Sequence, residues 1–377
     1  MSGEPTTRRR LLGIGGLGAA GLALPGCATM VARREAVATG CLPPVLVDRS
    51  RVIREVVGLR PYRASGFVVR AEALGTKRLV HNYGHGGAGI TLSWGTSRLA
   101  VELGLQGHQG PVAVVGAGIM GLTTARLVQE AGFPVTIYAE ALPPDTTSNI
   151  AGGQWAPFGH SRRDAVTPEW RAQFARALDY SWRRFQLLVG DEYGVRWVPT
   201  YDQGDGPDPA DPLERYRPDH RPLAPSEHPF AVERLSRYQT MYVETGRFLR
   251  QLIRDVQVAG GRFERRRFAN PAELAALPEG LVFNCTGLGA RALFGDEELR
   301  PARGQLAVLL PQPEVRYAFT GQAGYMFPRP DGVLLGGTFD MDEWSTEPDP
   351  AITERIIRSH QTLFGGFRCR TGRSGLA

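Results

Sequence analysis

Four cysteines among 377 residues are too few and too scattered to staple this chain. With Cys27 set aside near the start, Cys41, Cys285 and Cys369 form an odd, sparse set and no disulfide framework. Their spacing fits no zinc site, so no structural metal is expected. Low-complexity tracts and solenoid-type repeats are also missing. The apolar run Leu11 to Leu24 is about 14 residues, too short to span a bilayer as a helix. Charge is not concentrated either. The formal net charge of +6 comes from arginines spread along the chain. Without the first 27 residues, which hold Arg8, Arg9 and Arg10 against Glu4, it is roughly +4. Such a spread reads as a solvated surface, and no nucleic-acid partner is expected. What is plentiful is core material, 42% apolar against 22% charged. The length suits one two-lobed domain or two domains.

The N-terminus, "TTRRRLLGIGGLGAAGLALPGC", joins an arginine cluster to a short apolar core and Leu-Pro-Gly-Cys. That run has the length of a signal-peptide core. Arg8 to Arg10 ahead of Leu11-Leu12 resemble a twin-arginine export signal. Cys27 resembles the cysteine of a lipoprotein cleavage box, although Pro25 is not favoured there. The expected localisation is therefore exported, periplasmic or at the cell surface, with lipid on Cys27 as the membrane attachment. An uncleaved tail is the alternative.

Beyond Pro44, "VLVDRSRVIREVVGLRPYR" reads as a helix or extended segment running into a strand. "RLVHNYG" reads as a strand, "AGITLSWGTSRLAVELG" as a helix and "GHQG" as a turn. "PVAVVGAGIMGLTTARLVQEAGFPVTIYAE" is a strand, tight turn, helix and second strand. From about Gly159 to Pro229 the chain turns rich in Trp, Arg, Asp and Pro, with helix predicted around Trp170 to Leu188. "GRFLRQLIRDVQVAGGRFERRRF" and the strand "GLVFNCTG" return to an α/β pattern. "RGQLAVLL", "YMFPRP" and "VLLGGTF" read as strands, and "DPAITERIIRSHQTLF" as a helix capped by Asp349 and Pro350.

Gly116, Ala117, Gly118, Ile119, Met120 and Gly121 form a GxGxxG turn between strand and helix. The first glycine permits the turn, the second lets backbone approach a pyrophosphate, and the third lets helix and strand pack closely. Glu140 ends the next strand, where an acid holds ribose hydroxyls and disfavours NADP. These residues point to a dinucleotide.

The residues beyond Glu140 select FAD. "PPDTTSNIAGGQWAPF", Pro143 to Phe158, resembles the second FAD segment of the D-amino-acid oxidase family. "VFNCTG", Val282 to Gly287, resembles its returning strand, and "RGQ" (Arg303 to Gln305) and "FPRPDGVLLGGTF" its substrate-lobe strands. "HNYGHGGAGITLSWG", His81 to Gly95, is similar to the segment near the family's C-terminus. "VGLRPYR", Val57 to Arg63, matches the strand with its substrate-binding arginine. In the family these last two come after the "LGGTF" strand; here they precede the GAGIMG turn. The chain thus resembles a circular permutant joined through Leu105 to Gln109, which predicts that Ser50 and Phe364 lie close together.

The resemblance implies an α/β fold, a Rossmann-type FAD-binding domain interleaved with an α+β substrate domain on a mixed sheet. The expected boundaries are 1–44 for the signal peptide and a flexible tail, and 366–377 for a C-terminal tail. The substrate domain takes 45–60, 159–240 and 300–365; the FAD-binding domain takes 61–158 and 241–299. Expected cofactor contacts are the GAGIMG residues and Glu140, then Thr146, Thr147, Gly153, Gln154, Phe268 and Thr286. Gly86, Ala88, Gly89, Ile90 and Thr91 are expected on the flavin-ring side, the helix near Ile90 aiming its N-terminus at the ring. Arg60, Tyr325 and Gly87 are the candidate catalytic residues. Arg60 offers a planar fork for a substrate carboxylate, and Tyr325 adds a hydroxyl or walls the pocket. His81 and His85 read as structural.

The activity implied is oxidative deamination of a D-amino acid to a 2-oxo acid, ammonia and hydrogen peroxide, with hydride passing to flavin N5 and oxygen as reoxidant. Two alternatives stay open: an exported flavin dehydrogenase for an amine or other amino acid, using a quinone, and a flavin-containing binding or sensor protein without turnover. The oligomeric state is open, a homodimer among the options. Ala156 and Phe158 make one wall less polar than is usual in the family, and "FTGQAGYMF" is too short for a long lid.

Overall fold

The computed structural model describes residues 41–368. Arg8 to Arg10, the apolar run, Cys27 and Cys369 lie outside the described residues. Cys41 is disulfide-bonded, and Cys285 is a buried free thiol.

The described residues build two sheets. One has six strands in the order Val68–Leu74, Lys77–Tyr83, Leu281–Asn284, Val112–Val115, Val135–Ala139 and Arg262–Arg265. Its pairs are parallel except for the hairpin of the first two strands. Val112–Val115 and Leu281–Asn284 are buried throughout, as strands covered on both faces must be. Val112, Val114 and Ile137 meet Leu122, Phe248 and Leu252 on one side, from helices Ile119–Glu130 and Thr245–Val258. Ala113, Val115 and Val282 meet Leu274 and Leu293 on the other.

The second sheet runs Val52–Tyr62, Arg300–Leu309, Gly332–Gly336, Gly324–Arg329, Ala318–Gly321, Val195–Asp202, Ser236–Val243 and Arg221–Pro222, with Asp340–Met341 paired to Arg300–Leu309. Helix Pro350–Gly365 covers one face, packing Ile356 and Phe364 against Leu309, Phe319 and Leu335. As predicted, Asp349 caps it, its side chain accepting from the Ala351 N–H at 2.8 Å. The entry segment lies on this same helix: Gln361 donates to the Val47 carbonyl at 3.2 Å, and Arg49 pairs with Glu354 at 3.4 Å.

Several expectations need correcting. Of the two readings of "VLVDRSRVIREVVGLRPYR" the extended one holds, with a 3-10 turn at 49–51 ahead of the strand. The predicted helix at Trp170 to Leu188 spans Pro168–Gln186, because Thr167 caps it by accepting from the Trp170 N–H. Strands Val68–Leu74, Val195–Asp202 and Ser236–Val243 were not anticipated. Among the described residues, no helix is long and apolar enough to cross a membrane.

Candidate active site

A cavity of about 1220 Å³ runs between the two sheets. One end is made by the GAGIMG turn. Gly116 has φ +108°, and a Cβ there would lie 2.4 Å from the Cys285 carbonyl. At Gly121 a Cβ would lie 1.9 Å from the Gly116 carbonyl, so this glycine packs the turn against its helix and does not line the cavity. At Gly118 the nearest atom is only the Ser148 hydroxyl, 3.2 Å away, and as N-cap residue it brings no side chain to the helix that begins at Ile119. A bare backbone and a helix N-terminus facing a cavity are what a pyrophosphate requires. The group these residues fit is the dinucleotide of FAD, and the protein binds FAD.

The second segment completes this end. Thr146 donates to Asn149 at 2.8 Å ahead of the single turn Thr147–Ile150, and Ser148 accepts the Ile119 N–H at 3.0 Å. Gly153 and Trp155 bond to the backbone of Val243 and Met241, seating Gln154 where its amide donates to the Tyr242 hydroxyl at 2.9 Å. Glu140 and Phe268 also line the cavity, with Arg267 3.8 Å from the Glu140 carboxylate and Arg266 4.7 Å over the Phe268 ring. Thr286 donates to the Asn284 side chain at 2.7 Å while lining the cavity.

The Gly86–Gly89 loop closes the middle of the cavity. Gly86 has φ +54°, and a Cβ at Gly86 or Gly87 would strike the Gly159 or Phe158 carbonyl at 2.3 or 2.5 Å. The Gly87 N–H is donated to Gly159 at 3.0 Å. These glycines therefore let the loop lie against residues 158–160 while Gly86 and Gly87 also line the cavity. Gly89 is the open one, its nearest atom being Met120 Cε at 3.9 Å. Helix Gly89–Gly104 starts here without a side-chain cap, and Gly89 and Ile90 face the cavity. Ala88 and Thr91 are buried away from it, a correction to the expected contacts. Thr91 accepts the Ala156 N–H at 3.0 Å and so anchors the neighbouring segment instead of reaching a ligand.

Arg60, from strand Val52–Tyr62, reaches the remaining end. It donates to the Thr338 carbonyl at 3.1 Å and lies 5.4 Å from the Phe339 ring; among the described residues it forms no ion pair. Its guanidinium occupies the space a side chain at Gly304 would need, with Nη1 2.4 Å from that position. Tyr325 stacks on Phe327 at 4.4 Å between ring centroids and lies over Gly336 and Gly337. Burial raises its hydroxyl pKa, while the adjacent Arg60 draws it the other way. Phe158, 66% exposed, and Phe339 meet edge to face at the rim. Residues Gln322 and Ala323 alone join strands Ala318–Gly321 and Gly324–Arg329, so this hairpin supplies no lid.

The two histidines hold structure. His85 is buried, bonded to Thr96 at 2.9 Å and stacked on Phe67. Burial lowers its pKa to about 3, so it stays neutral. His81 contacts Asn284 at 3.0 Å and Glu72 at 3.1 Å. Among the described residues, no group of three or more His, Cys, Asp or Glu could hold a metal. The sequence reading missed Gly304, Thr338, Phe339, Asp202, Tyr238 and Thr320 on the cavity wall. Of these, Gly304 lies inside the quoted "RGQ", Thr338 and Phe339 inside "FPRPDGVLLGGTF" and Thr320 inside "FTGQAGYMF", whereas Asp202 and Tyr238 had no signal.

Comparison with known proteins agrees with this geometry. A family model described as FAD dependent oxidoreductase matches residues 10–103 and 111–376. A D-amino-acid oxidase of Streptomyces coelicolor is 35% identical over 276 residues, covering 67% of this chain and 77% of that protein. A D-amino-acid oxidase of Rubrobacter xylanophilus is 31% identical over 275 residues, covering 70% and 81%. Among solved structures, glycine oxidase from Geobacillus kaustophilus superposes with a TM-score of 0.50 at 16% identity, over 68% of this chain and 78% of that one, a likeness of fold alone.

Proposed function

Since this chain belongs to the FAD dependent oxidoreductase family, we propose that it oxidises the amine-bearing carbon of an amino acid held by Arg60. The observation that carries this reading is an arginine in the cavity without an acidic partner, beside a tyrosine hydroxyl and the bare Gly89 helix start. A fork held by carbonyl oxygens keeps its charge for a ligand, and a carboxylate answers it with two parallel hydrogen bonds. The similarity to two D-amino-acid oxidases favours the D-isomer and oxygen as the reoxidant.

Bound FAD supplies the two-electron acceptor for the hydride leaving the α-carbon. Arg60 and Tyr325 fix the carboxylate, which leaves the α-carbon little freedom to turn. His85 neither takes nor gives the amine proton, being buried, bonded and neutral. That proton leaves with solvent as the amine becomes an imine, and hydrolysis of the imine gives the 2-oxo acid and ammonia. The uncapped N-terminus of helix Gly89–Gly104 favours negative charge arriving beside it.

Anaerobic mixing with a panel of D- and L-amino acids and simple amines tests this. A D-amino acid should bleach the flavin, and its L-isomer should not. Arg60→Ala should raise the substrate concentration needed by about 100-fold while flavin stays bound. Bleaching by amines without a carboxylate, or an unaffected Arg60→Ala, would remove the assignment. Absence of peroxide in air would point to an acceptor other than oxygen.

The chain order is part of the same reading: a circular permutant of the family arrangement. Support comes from the motif order, with the Arg60 strand and the Gly86–Gly89 loop ahead of the GAGIMG turn, and from residues 45–50 lying on the last helix. We also read Arg8 to Cys27 as an export signal with lipid on Cys27. Fractionation of cells expressing the full chain, with Arg8 to Arg10 changed to lysine, checks it; protein that stays in the cytoplasm in both forms contradicts export.

A further inference from the structure

Beyond Tyr325 the cavity has a further polar wall. Across the second sheet, Gly336, Tyr325, Thr320 and Asp202 are successive register partners on four neighbouring strands. Residues directly opposite on adjacent strands point to the same face, and Tyr325, Thr320 and Asp202 all line the cavity. The row therefore begins at the tyrosine beside Arg60 and ends at a carboxylate. Two strand spacings put Asp202 about 10 Å from Tyr325.

Asp202 is oriented but not neutralised. The Thr320 hydroxyl donates to it. Burial raises the pKa of the neighbouring Tyr238 phenol, and the Asp202 charge adds to that rise. Arg217, the cation on this wall, gives its guanidinium to Asp211 at 2.9 Å and Glu214 at 3.4 Å, and stacks 5.7 Å from the Tyr238 ring. Among the described residues Asp202 itself forms no ion pair. A carboxylate lining a cavity without a counter-ion is open to a charge-assisted hydrogen bond from a cationic ligand group. The acids around Arg217 outnumber it, so this wall attracts positive charge and repels negative charge.

Resting on the amino-acid reading above, we propose that Asp202, held by Thr320, determines specificity by accepting the cationic end of the substrate side chain. The favoured substrates are then amino acids with a distal amine or guanidinium, long enough to reach from the Arg60 end to the Asp202 wall. Neutral side chains of similar length are weaker substrates, and acidic ones are the poorest.

The test compares D-lysine, D-methionine and D-glutamate in anaerobic flavin reduction by the FAD-loaded enzyme. D-Lysine should show the highest kcat/KM and D-glutamate the lowest. In Asp202→Asn the ratio of kcat/KM for D-lysine over D-methionine should fall about 10- to 100-fold, a charge-assisted hydrogen bond being lost. Thr320→Val should lower the same ratio by a smaller factor, and it serves as the second variant if Asp202→Asn loses its flavin. Turnover of D-methionine with no preference for D-lysine, or a ratio unmoved in both variants, overturns the assignment of Asp202 and leaves the amino-acid reading standing. Failure of all three substrates to bleach the flavin overturns both.

Discussion

At the scale of single residues, the candidate site depends on an absence of side chain as much as on Arg60. A Cβ on Gly304 would collide with the guanidinium, whose flexible end can move aside while the strand stays in place. Gly304→Ala should therefore raise KM for carboxylate substrates by about 10- to 100-fold, since a displacement of about an ångström can cost that much. Melting temperature and flavin content should stay nearly constant; a loss of flavin would show that Gly304 supports the cofactor instead. The need for this glycine could not be seen in "RGQ". It arises because Arg60 and Ala302 are register partners on strands 242 residues apart in sequence. Arg303 and Gln305 explain the rest of that triplet. Arg303 donates to the Ser345 carbonyl at 3.0 Å, and Gln305 bonds Thr353 and Asp349 at 2.8 Å, fixing the start of the last helix.

At the scale of elements, the proposed permuted order makes a prediction about transplanting a block. A gene beginning near Val112, with residues 45–104 placed after helix Pro350–Gly365, should yield a protein with the same flavin spectrum. Its stability should lie within about 2 kcal/mol of the parent, since closing a different loop costs little. A variant that cannot bind FAD would argue against the rearrangement. Elements with continuous apolar runs or clear caps were legible from sequence, among them Val112–Val115, Leu281–Asn284 and the helix behind Asp349. Those that escaped lack such marks. Val68–Leu74 is an edge strand with Arg70, Glu72 and their neighbours in solvent, so no apolar alternation announces it. Val195–Asp202 mixes Arg196, Pro199 and the exposed Trp197 among its buried positions. The cofactor turn was readable because its chemistry is local, whereas the Tyr325–Thr320–Asp202 row exists only once three strands are in register.

At the scale of the whole molecule, burial of neutral histidines sets the response to acid. His81, His85, His160, His228 and His360 all have pKa values lowered by burial, His85 to about 3. The unfolded chain takes up protons near the usual imidazole value of about 6.5 while the folded state does not. Stability is thus fully present above that value and is lost as pH falls toward the folded values. Each such histidine contributes about 1.4 kcal/mol per pH unit inside its window. Melting temperature should fall steadily from pH 7 to pH 4.5, before most carboxylates titrate; a flat profile would contradict it. A second consequence comes from the pairing of Val52–Tyr62 with Arg300–Leu309. On the ribosome the arginine strand emerges early and must wait for nearly the whole chain before its partner exists. Contacts so distant in sequence form slowly and leave an apolar edge open meanwhile. The order of synthesis therefore makes completion of the substrate end one of the last events of folding, after the strands and helix that cradle FAD have already been made.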